Sequence, residues 1–298
     1  SFKLYVKLHI SCLNIVYKKN NVRGVLKLLY SQIGGLEVSK FIIGGNPFSG
    51  FSHQSVERDK EMLDYYTDEC IIQEWKKAEA LGVNTLIART DEHMIRVLNK
   101  YRKQGGKLQW FAQTASELSI EKAVQNAIDN KAVACYIHGG VMDNYFANGK
   151  MHLIPPIIKA IKAAGLYAGV AGHRSEVFLW AEKYLDCDFY MCSYYNPIYR
   201  DKDPRHRHGI DEKFKEEDCA RMLQTIPYLT KPVIHYKILA AGRIEPEKGF
   251  QRAAQAMRDN DAVCVGIFSK EDPDMLEKDV NLLEKYLLKK MQNSLALE

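Results

Sequence analysis

The 298-residue chain lacks the short motifs that would identify an active site directly. It contains no phosphate-binding P-loop, no G-x-G-x-x-G fingerprint and no H-E-x-x-H zinc motif. No serine or cysteine lies in a nucleophile elbow. The seven cysteines are scattered and form no C-x-x-C pair, which indicates a reducing compartment and a cytoplasmic location. Any active site must therefore be built from residues that are distant in sequence.

The sequence also carries little excess charge outside its first 36 residues. The formal net charge is +5, and that segment supplies six basic residues with no acid before Glu37. The remainder has 36 basic and 37 acidic residues, a balance that does not predict nucleic-acid binding. The apolar run at 8–17 is too short to span a bilayer. We expect no nucleic-acid partner, no membrane span, and a basic extension or barrel-floor segment at 1–34.

What the sequence does contain is an eightfold alternation of short apolar strands with helices. Continuous apolar strands in such an alternation are typical of a parallel sheet covered on both faces. We predict an α/β chain with a single (β/α)8 TIM-barrel domain at 35–293, one helix at 60–81, and long mouth loops at 141–152 and 197–211. The predicted strands lie at 41–45, 85–88, 108–112, 133–137, 167–171, 189–193, 233–236 and 262–268.

Polar residues follow each predicted strand, where barrels of this kind build their active sites. We predict catalytic roles for His138, Lys237 and Asp91, with His138 as the central acid, base or orienting group. Lys237 would act as a base or Schiff-base amine, or else be a solvated loop residue. Arg89 would help to bind an anionic group, or else pair with a neighbouring acid. The predicted substrate-binding residues are Asn46, Arg89, Gln113, His173, Arg174, Tyr195, Asn196 and Tyr236.

Three histidines near strand ends raise the alternative of a divalent-metal site. His138, His173 and His235 offer imidazoles that could hold an ion with one open position. The competing interpretation is that His138 and His173 are hydrogen-bonded residues of a substrate pocket. Alternation along the strand also sends His235 and Tyr236 to opposite sides.

Several short segments together resemble the aldo/keto reductase superfamily, over residues 28 to 285. The resemblance implies a TIM barrel with a nicotinamide cofactor and a catalytic tetrad of Asp, Tyr, Lys and His. The segments are GLEVSK at 35–40, ALGVN at 80–84, YIH at 136–138, AGV at 168–170, YYNP at 194–197, VIHY at 233–236, the turn at 239–242 and the helix start at 273–277.

The chain departs from the family pattern at most of the implied functional positions. Ile87, Glu92 and Thr114 stand where the resemblance places the Asp, Tyr and Lys, and only His138 matches. Without the phenol and its Lys–Asp pair, the usual proton relay for carbonyl reduction is missing. The implied cofactor positions are also altered, to Ala171, Gly172, Cys192, Met275 and Asp279, although Tyr236, Ser269 and Lys270 could contact a nucleotide. NADP(H) is therefore disfavoured.

These observations predict an enzyme that acts on a small polar carbonyl, hydroxy or sugar-like substrate, which could be anionic. His138 would be central, and a standard NADPH reductase mechanism is doubtful. The alternatives are a metal-dependent lyase, isomerase or hydrolase that uses His138 and His173, and a catalytically silent barrel that binds a metabolite. Charged and hydrogen-bonding residues at most strand ends favour an active site over a silent one.

Overall fold

The computed structural model describes residues 28–209 and 212–296, and these form a closed eight-stranded parallel barrel in one domain. The predicted (β/α)8 fold is confirmed. The barrel strands are β3 (Phe41–Gly44), β4 (Thr85–Arg89), β5 (Gln109–Gln113), β6 (Ala134–Ile137), β7 (Tyr167–Gly172), β8 (Phe189–Ser193), β9 (Val233–Tyr236) and β10 (Ala262–Gly266). Each pairs with the next in chain order, and β10 closes the barrel onto β3 through pairs such as Cys264 with Ile42.

An antiparallel hairpin covers the floor of the barrel. It consists of β1 (Tyr30–Ile33) and β2 (Leu36–Ser39). Its apolar side chains Ile33 and Val38 are fully buried against the barrel interior. The predicted boundary between residues 34 and 35 falls on the turn of this hairpin. Residues 1–27 of the predicted extension lie outside the described residues.

Ten α-helices of the described residues surround the barrel. They are α1 (Val56–Tyr65), α2 (Asp68–Ala80), α3 (Glu92–Lys103), α4 (Ile120–Asp129), α5 (Gly139–Ala147), α6 (Ile154–Ala163), α7 (Ser175–Tyr184), α8 (Glu216–Thr225), α9 (Pro246–Ala256) and α10 (Met275–Ala296). Among the described residues, none of these helices is long and apolar enough to cross a membrane.

Two helix predictions were wrong for local reasons. The single helix predicted at 60–81 is two helices, because the Thr67 side chain accepts the Cys70 amide hydrogen and starts a new helix. The loop predicted at 141–152 contains α5, although its first two residues are the poor helix formers Gly139 and Gly140. His138 caps this helix by accepting the Gly140 amide hydrogen at 3.2 Å, so tertiary position outweighs the glycine propensity.

Two packed layers position the mouth of the barrel. The outer layer lies between strands and helices, and the inner layer fills the barrel with Ile42, Phe111, Phe189 and Ile234. Above this inner layer Ile87, Tyr136 and Met191 form the bottom of an open cavity at the carboxyl ends of the strands. The filled interior makes the mouth the place where a ligand can enter.

Candidate active site

A cavity of about 420 Å³ opens at the carboxyl ends of the strands, and we call it the mouth cavity. It contains six of the residues predicted from strand ends. Four histidines, one lysine and two arginines supply most of its nitrogen groups. The side chains used below are Asn46, His53, Gln113, Tyr136, His138, His173, Arg200, His206, Tyr236 and Lys237.

The first polar group in the cavity links Lys237, His53 and Glu212. Nε2 of His53 lies 3.1 Å from Nζ of Lys237 and 3.1 Å from Nδ2 of Asn46, and both neighbours are donors. Nδ1 of His53 lies 2.9 Å from a carboxylate oxygen of Glu212. His53 therefore carries its hydrogen on Nδ1 and accepts at Nε2.

Burial sets the charge states of this first group. Burial, reinforced by the nearby Lys237, lowers the pKa of His53 to about 4. Burial also lowers the pKa of Lys237 to about 8, against the opposing attraction of Glu212. Burial alone would raise the pKa of Glu212, but Lys237 and His53 hold it well below its usual range. Lys237 has a φ of 57°, a strained backbone region for a lysine that is often found at functional sites.

The second polar group links Asp143, His173 and Tyr236. Oδ2 of the buried Asp143 lies 2.7 Å from Nδ1 of His173, and Oδ1 accepts the His173 backbone amide hydrogen at 3.1 Å. Because a carboxylate can only accept, Nδ1 of His173 carries a hydrogen, and in this tautomer of the ring Nε2 is the acceptor. That Nε2 lies 3.3 Å from the Tyr236 hydroxyl. Burial and the charge of Asp143 raise the pKa of Tyr236 well above its ordinary value.

His138 has the opposite arrangement of its ring hydrogen. Its Nδ1 accepts from the Gly140 amide, so the hydrogen lies on Nε2. Its own backbone amide donates to the Thr114 hydroxyl at 2.9 Å. Burial and the positive charge of Arg200 lower the pKa of His138 well below its ordinary value, so the ring is neutral. His138 is a neutral donor and His173 is an acceptor in one cavity.

The loop at 199–209, which follows β8 and is rich in basic residues, contributes Arg200 and His206 to the mouth cavity. Asn144 donates through Nδ2 to the backbone oxygen of Arg200 at 2.8 Å, and the Ser116 hydroxyl accepts the His206 amide hydrogen at 2.8 Å. The His206 ring stacks on Phe51 with 3.9 Å between ring centroids. A Cβ added to Gly140 would overlap the Pro204 carbonyl oxygen, so this loop approaches α5 closely.

Arg200 brings a buried positive charge into the cavity. Arg200 is 5% exposed, and one terminal nitrogen of its guanidinium donates to the Arg205 carbonyl oxygen at 2.6 Å. Its Nε has no hydrogen-bond partner, and it forms no ion pair within 28–209 and 212–296. Burial lowers the pKa of Arg200. An unpaired buried guanidinium is the kind of group that binds a carboxylate or phosphate.

The structure brings six of the predicted site residues together in the mouth cavity and places the others elsewhere. Asn46, Gln113, His138, His173, Tyr236 and Lys237 line the cavity, with Gln113 accepting the Tyr136 hydroxyl hydrogen at 2.7 Å. Sequence reasoning missed His53, Asp143 and Glu212, and it treated Arg200 and His206 only as part of the long mouth loop at 197–211. The signals available were the histidines of the 197–211 loop and the polar segment after β3.

Arg89 and Asp91 lie outside the mouth cavity. Arg89 Nε donates to Asp91 Oδ2 at 2.7 Å, and its other end pairs with Glu117. Asp91 also accepts the Met94 amide hydrogen at the start of α3. This is the pairing with a neighbouring acid that the sequence offered as the alternative role of Arg89. It engages Arg89 and Asp91, the two side chains predicted to act on substrate.

The remaining predicted substrate and nucleotide contacts also have partners outside the mouth cavity. Arg174 donates to Asp201 at 2.6 Å. The Tyr195 hydroxyl accepts from Arg252 at 3.2 Å, and the backbone N–H of Asn196 donates to the Asp218 carboxylate at 3.3 Å. Ser269 donates its amide hydrogen to Tyr66, and Lys270 pairs with Glu61 at 2.8 Å.

The three histidines predicted to share a metal are not brought together. His235 is fully buried on the outer side of β9, 3.0 Å from the Tyr194 hydroxyl and 3.2 Å from Asp261. Tyr236, the next residue, points into the cavity, as strand alternation requires.

Comparison with known proteins identifies the fold and nothing finer. No protein-family model matches the chain, and no curated protein matches it by sequence. PA4992 of Pseudomonas aeruginosa, a protein classed as an aldo-keto reductase, superposes with a TM-score of 0.60 at 17% identity, covering 88% of this chain and 98% of that one. A truncated 3-deoxy-D-arabino-heptulosonate 7-phosphate synthase from Thermotoga maritima gives 0.52 at 12% identity, covering 91% and 94%. The chain therefore shares its barrel fold with aldo-keto reductases and with other enzymes built on this barrel.

The residues present do not fit the nicotinamide dinucleotide that this fold family suggests. One arm of the mouth cavity runs beside β10 and α10 and contains Arg58, Glu271 and Asp279. Arg58 is already paired with Glu61 and Glu271. Asp279 is 4% exposed, and burial raises its pKa to about 7. A pyrophosphate in this arm would face carboxyl groups and no unpaired cation of the described residues. Ile87, which stands where the resemblance to aldo/keto reductases places the tetrad Asp, forms part of the cavity bottom.

Proposed function

We propose that the chain is an enzyme that moves a proton on a small polar carbonyl or hydroxy compound, such as a sugar or sugar acid, without nicotinamide. One observation carries the proposal: the mouth cavity holds two imidazoles with opposite hydrogen-bond surroundings, His138 with Nδ1 as an acceptor and His173 with Nδ1 facing a carboxylate. An enzyme that shifts a proton next to a carbonyl group needs one group of each kind.

The proposed reaction begins at His173. Its Nε2 takes a proton from the carbon next to the substrate carbonyl, and the C–H electron pair moves to form an enolate. Asp143 stabilises the imidazolium that results, because its carboxylate already holds Nδ1–H at 2.7 Å. The contact between Nε2 and Tyr236, 3.3 Å long, is weak enough for a substrate to replace.

The developing enolate oxygen would be stabilised by His138 and Lys237. The Nε2–H of His138 donates a hydrogen bond, and the buried Lys237 ammonium adds positive charge. With an α-hydroxy carbonyl substrate, the proton of the neighbouring hydroxyl passes to the enolate oxygen, and His173 returns its proton to the former carbonyl carbon. The carbonyl then lies on the neighbouring carbon, which is isomerisation. If a leaving group on the next carbon departs instead, with the proton supplied by the imidazolium of His173, the same residues perform elimination.

The charge of the cavity favours a substrate with an anionic group. Arg200 is buried with one unpaired N–H, and Lys237 lies on the neighbouring strand end. A carboxylate or phosphate on the substrate would satisfy this guanidinium.

Proton exchange in D2O tests the proposal before the natural substrate is known. Purified protein, free of nucleotide, is incubated with a panel of aldoses, ketoses, sugar acids and hydroxy-carboxylates, and deuterium uptake at carbon is followed by NMR. We expect uptake next to the carbonyl of at least one compound. His173→Asn should slow that uptake by about 100-fold or more.

The control is His152→Gln, because His152 is exposed and lies outside the mouth cavity. It should exchange deuterium at the wild-type rate. Equal rates in wild type and His173→Asn, or no uptake with any compound of the panel, would contradict the proposal.

A further inference from the structure

A second arrangement of ligands lies at the rim of the mouth cavity, in residues that the proton-transfer proposal does not use for chemistry. His53 belongs to the segment between β3 and α1, and His206 and Glu212 come from the loop between β8 and α8. One nitrogen from each imidazole and one carboxylate oxygen lie within 4.8 Å of one another. Two histidines and one carboxylate are a common ligand set for zinc, manganese and iron(II), and they leave positions open.

The hydrogen bonding of these three residues is incomplete. Nδ1 of His206 and Oε2 of Glu212 are buried and have no hydrogen-bond partner among the described residues. Buried polar atoms are seldom left unpaired, and an ion, a water molecule or a missing ligand usually explains them. Because both orphaned atoms belong to the same cluster, one group placed between them would satisfy both.

The charge states of the cluster suit a cation. Burial, reinforced by neighbouring positive charges, keeps the pKa of both imidazoles below its ordinary value, so each ring has a free lone pair. Glu212 is 6% exposed and ionised. Lys237 is the competing cation, but its Nζ lies 3.8 Å from Oε2 of Glu212, which is too far for a hydrogen bond.

We propose that His53, His206 and Glu212 form a divalent-metal site at the rim of the mouth cavity, with its open positions toward the substrate. The metal replaces the hydrogen on the His53 nitrogen that faces Glu212, and that hydrogen moves to Nε2. Asn46 accommodates the change by turning its amide, which brings its oxygen to the present nitrogen position, 3.1 Å from Nε2, where it can accept. Lys237, which also lies 3.1 Å from Nε2 as a donor, must then turn its Nζ away or give up a proton.

This site differs from the histidine set that the sequence predicts. Neither His138 nor His173 belongs to it. His235 lies on the outer side of β9, away from the mouth cavity. The metal site also stands independently of the proton-transfer proposal. Loss of metal binding and loss of deuterium uptake are separate readouts, so either proposal can fail alone.

The test uses the full chain, stripped with EDTA and dialysed into chelated buffer. Co²⁺ is titrated while the visible absorption is recorded, and Zn²⁺ is then added in competition and counted by elemental analysis. We expect one Co²⁺ per chain, with a visible band that Zn²⁺ abolishes. His206→Gln and Glu212→Gln should each weaken Co²⁺ binding by about 100-fold or more. Mutating a residue that only hydrogen-bonds to a metal ligand often lowers metal affinity about 10–100-fold, and loss of a ligand itself should cost at least as much.

The matched control is His208→Gln. His208 stacks on the opposite face of Phe51 from the cluster and is nearly half exposed, so its loss should leave Co²⁺ binding unchanged. Circular dichroism and thermal melting of each metal-free variant establish that it is folded. Absence of a stoichiometric Co²⁺ band in the wild type would overturn the proposal. So would binding that survives in folded His206→Gln and Glu212→Gln, or that His208→Gln weakens equally.

Discussion

Replacing Asp279 with asparagine should stabilise the protein at neutral and alkaline pH. Asp279 lies on α10 and lines the mouth cavity, and it is 4% exposed. Burial, with a smaller contribution from Asp272, raises its pKa from 3.8 to about 7. At about 1.4 kcal/mol per pKa unit, this difference corresponds to roughly 4 kcal/mol of folding free energy.

The sign of the effect follows from the raised pKa. Between pH 4 and 7 the folded protein holds a proton on Asp279 that the unfolded chain has released. The stabilisation associated with this proton is complete below about pH 4 and is lost as the pH rises through about 7. Asparagine cannot ionise, so the variant escapes this loss. The free energy of unfolding of Asp279→Asn should exceed that of wild type by an amount that grows by about 2–3 kcal/mol between pH 5 and pH 8.5.

Urea denaturation at pH 5, 6, 7, 8 and 8.5 measures this difference directly. Because all other titrating groups are common to both proteins, their contributions cancel in the comparison. Glu277→Gln is the control, since Glu277 is an exposed residue of the same helix and its loss should change stability by at most about 0.5 kcal/mol at each pH. A constant difference between wild type and Asp279→Asn across the pH range would refute the argument that this carboxyl is buried and neutral.

Three further predictions concern the site and its support. Asp143→Asn should lower deuterium uptake by about 100-fold or more, because Nδ1–H of His173 loses its carboxylate; unchanged uptake in the NMR assay would contradict that role. Gly140→Ala should cost about 1–3 kcal/mol of stability in urea and speed proteolysis in the 199–209 loop, since the new Cβ overlaps Pro204; unchanged cleavage would show that the loop does not pack there. His235→Leu should cost about 1–3 kcal/mol by leaving the buried Tyr194 hydroxyl without a partner and removing one of the several hydrogen bonds to Asp261, with Co²⁺ binding intact; weakened Co²⁺ binding in a folded variant would place His235 at the metal.

The barrel could be predicted from the sequence because its signal is local. Each buried strand is a short apolar run, and all eight predicted strands coincide with observed strands to within two residues at each end. The ends of the helices were harder to predict, because a single capping side chain can decide where a helix begins. Thr67 divides one predicted helix, and His138 starts another at two glycines. Both outcomes depend on a single side chain rather than on hydrophobic periodicity.

Half of the mouth cavity could be predicted, and the reason lies in the fold. Strand ends meet at one mouth, so His138, His173 and Lys237 could be placed together from their positions in the repeat. His53, His206 and Glu212 reach the same mouth through long loops, and no periodic pattern fixes where a loop places its side chains. Arg89 also ends a strand, but its side chain pairs with Asp91 and Glu117 outside the mouth cavity, which is one of the two alternatives open for it from the sequence.

The hydrogen positions on His138 and His173 provide the most direct test of the central claim, that the mouth cavity pairs a donor imidazole with an acceptor imidazole. Long-range ¹H–¹⁵N NMR spectra of histidine-labelled protein at pH 7, assigned with His138→Gln and His173→Gln, report which ring nitrogen carries hydrogen. We predict a neutral His138 with hydrogen on Nε2 and a His173 whose Nδ1 carries hydrogen. A doubly protonated His138 or His173, or neutral rings with hydrogen on the same nitrogen, would contradict the account.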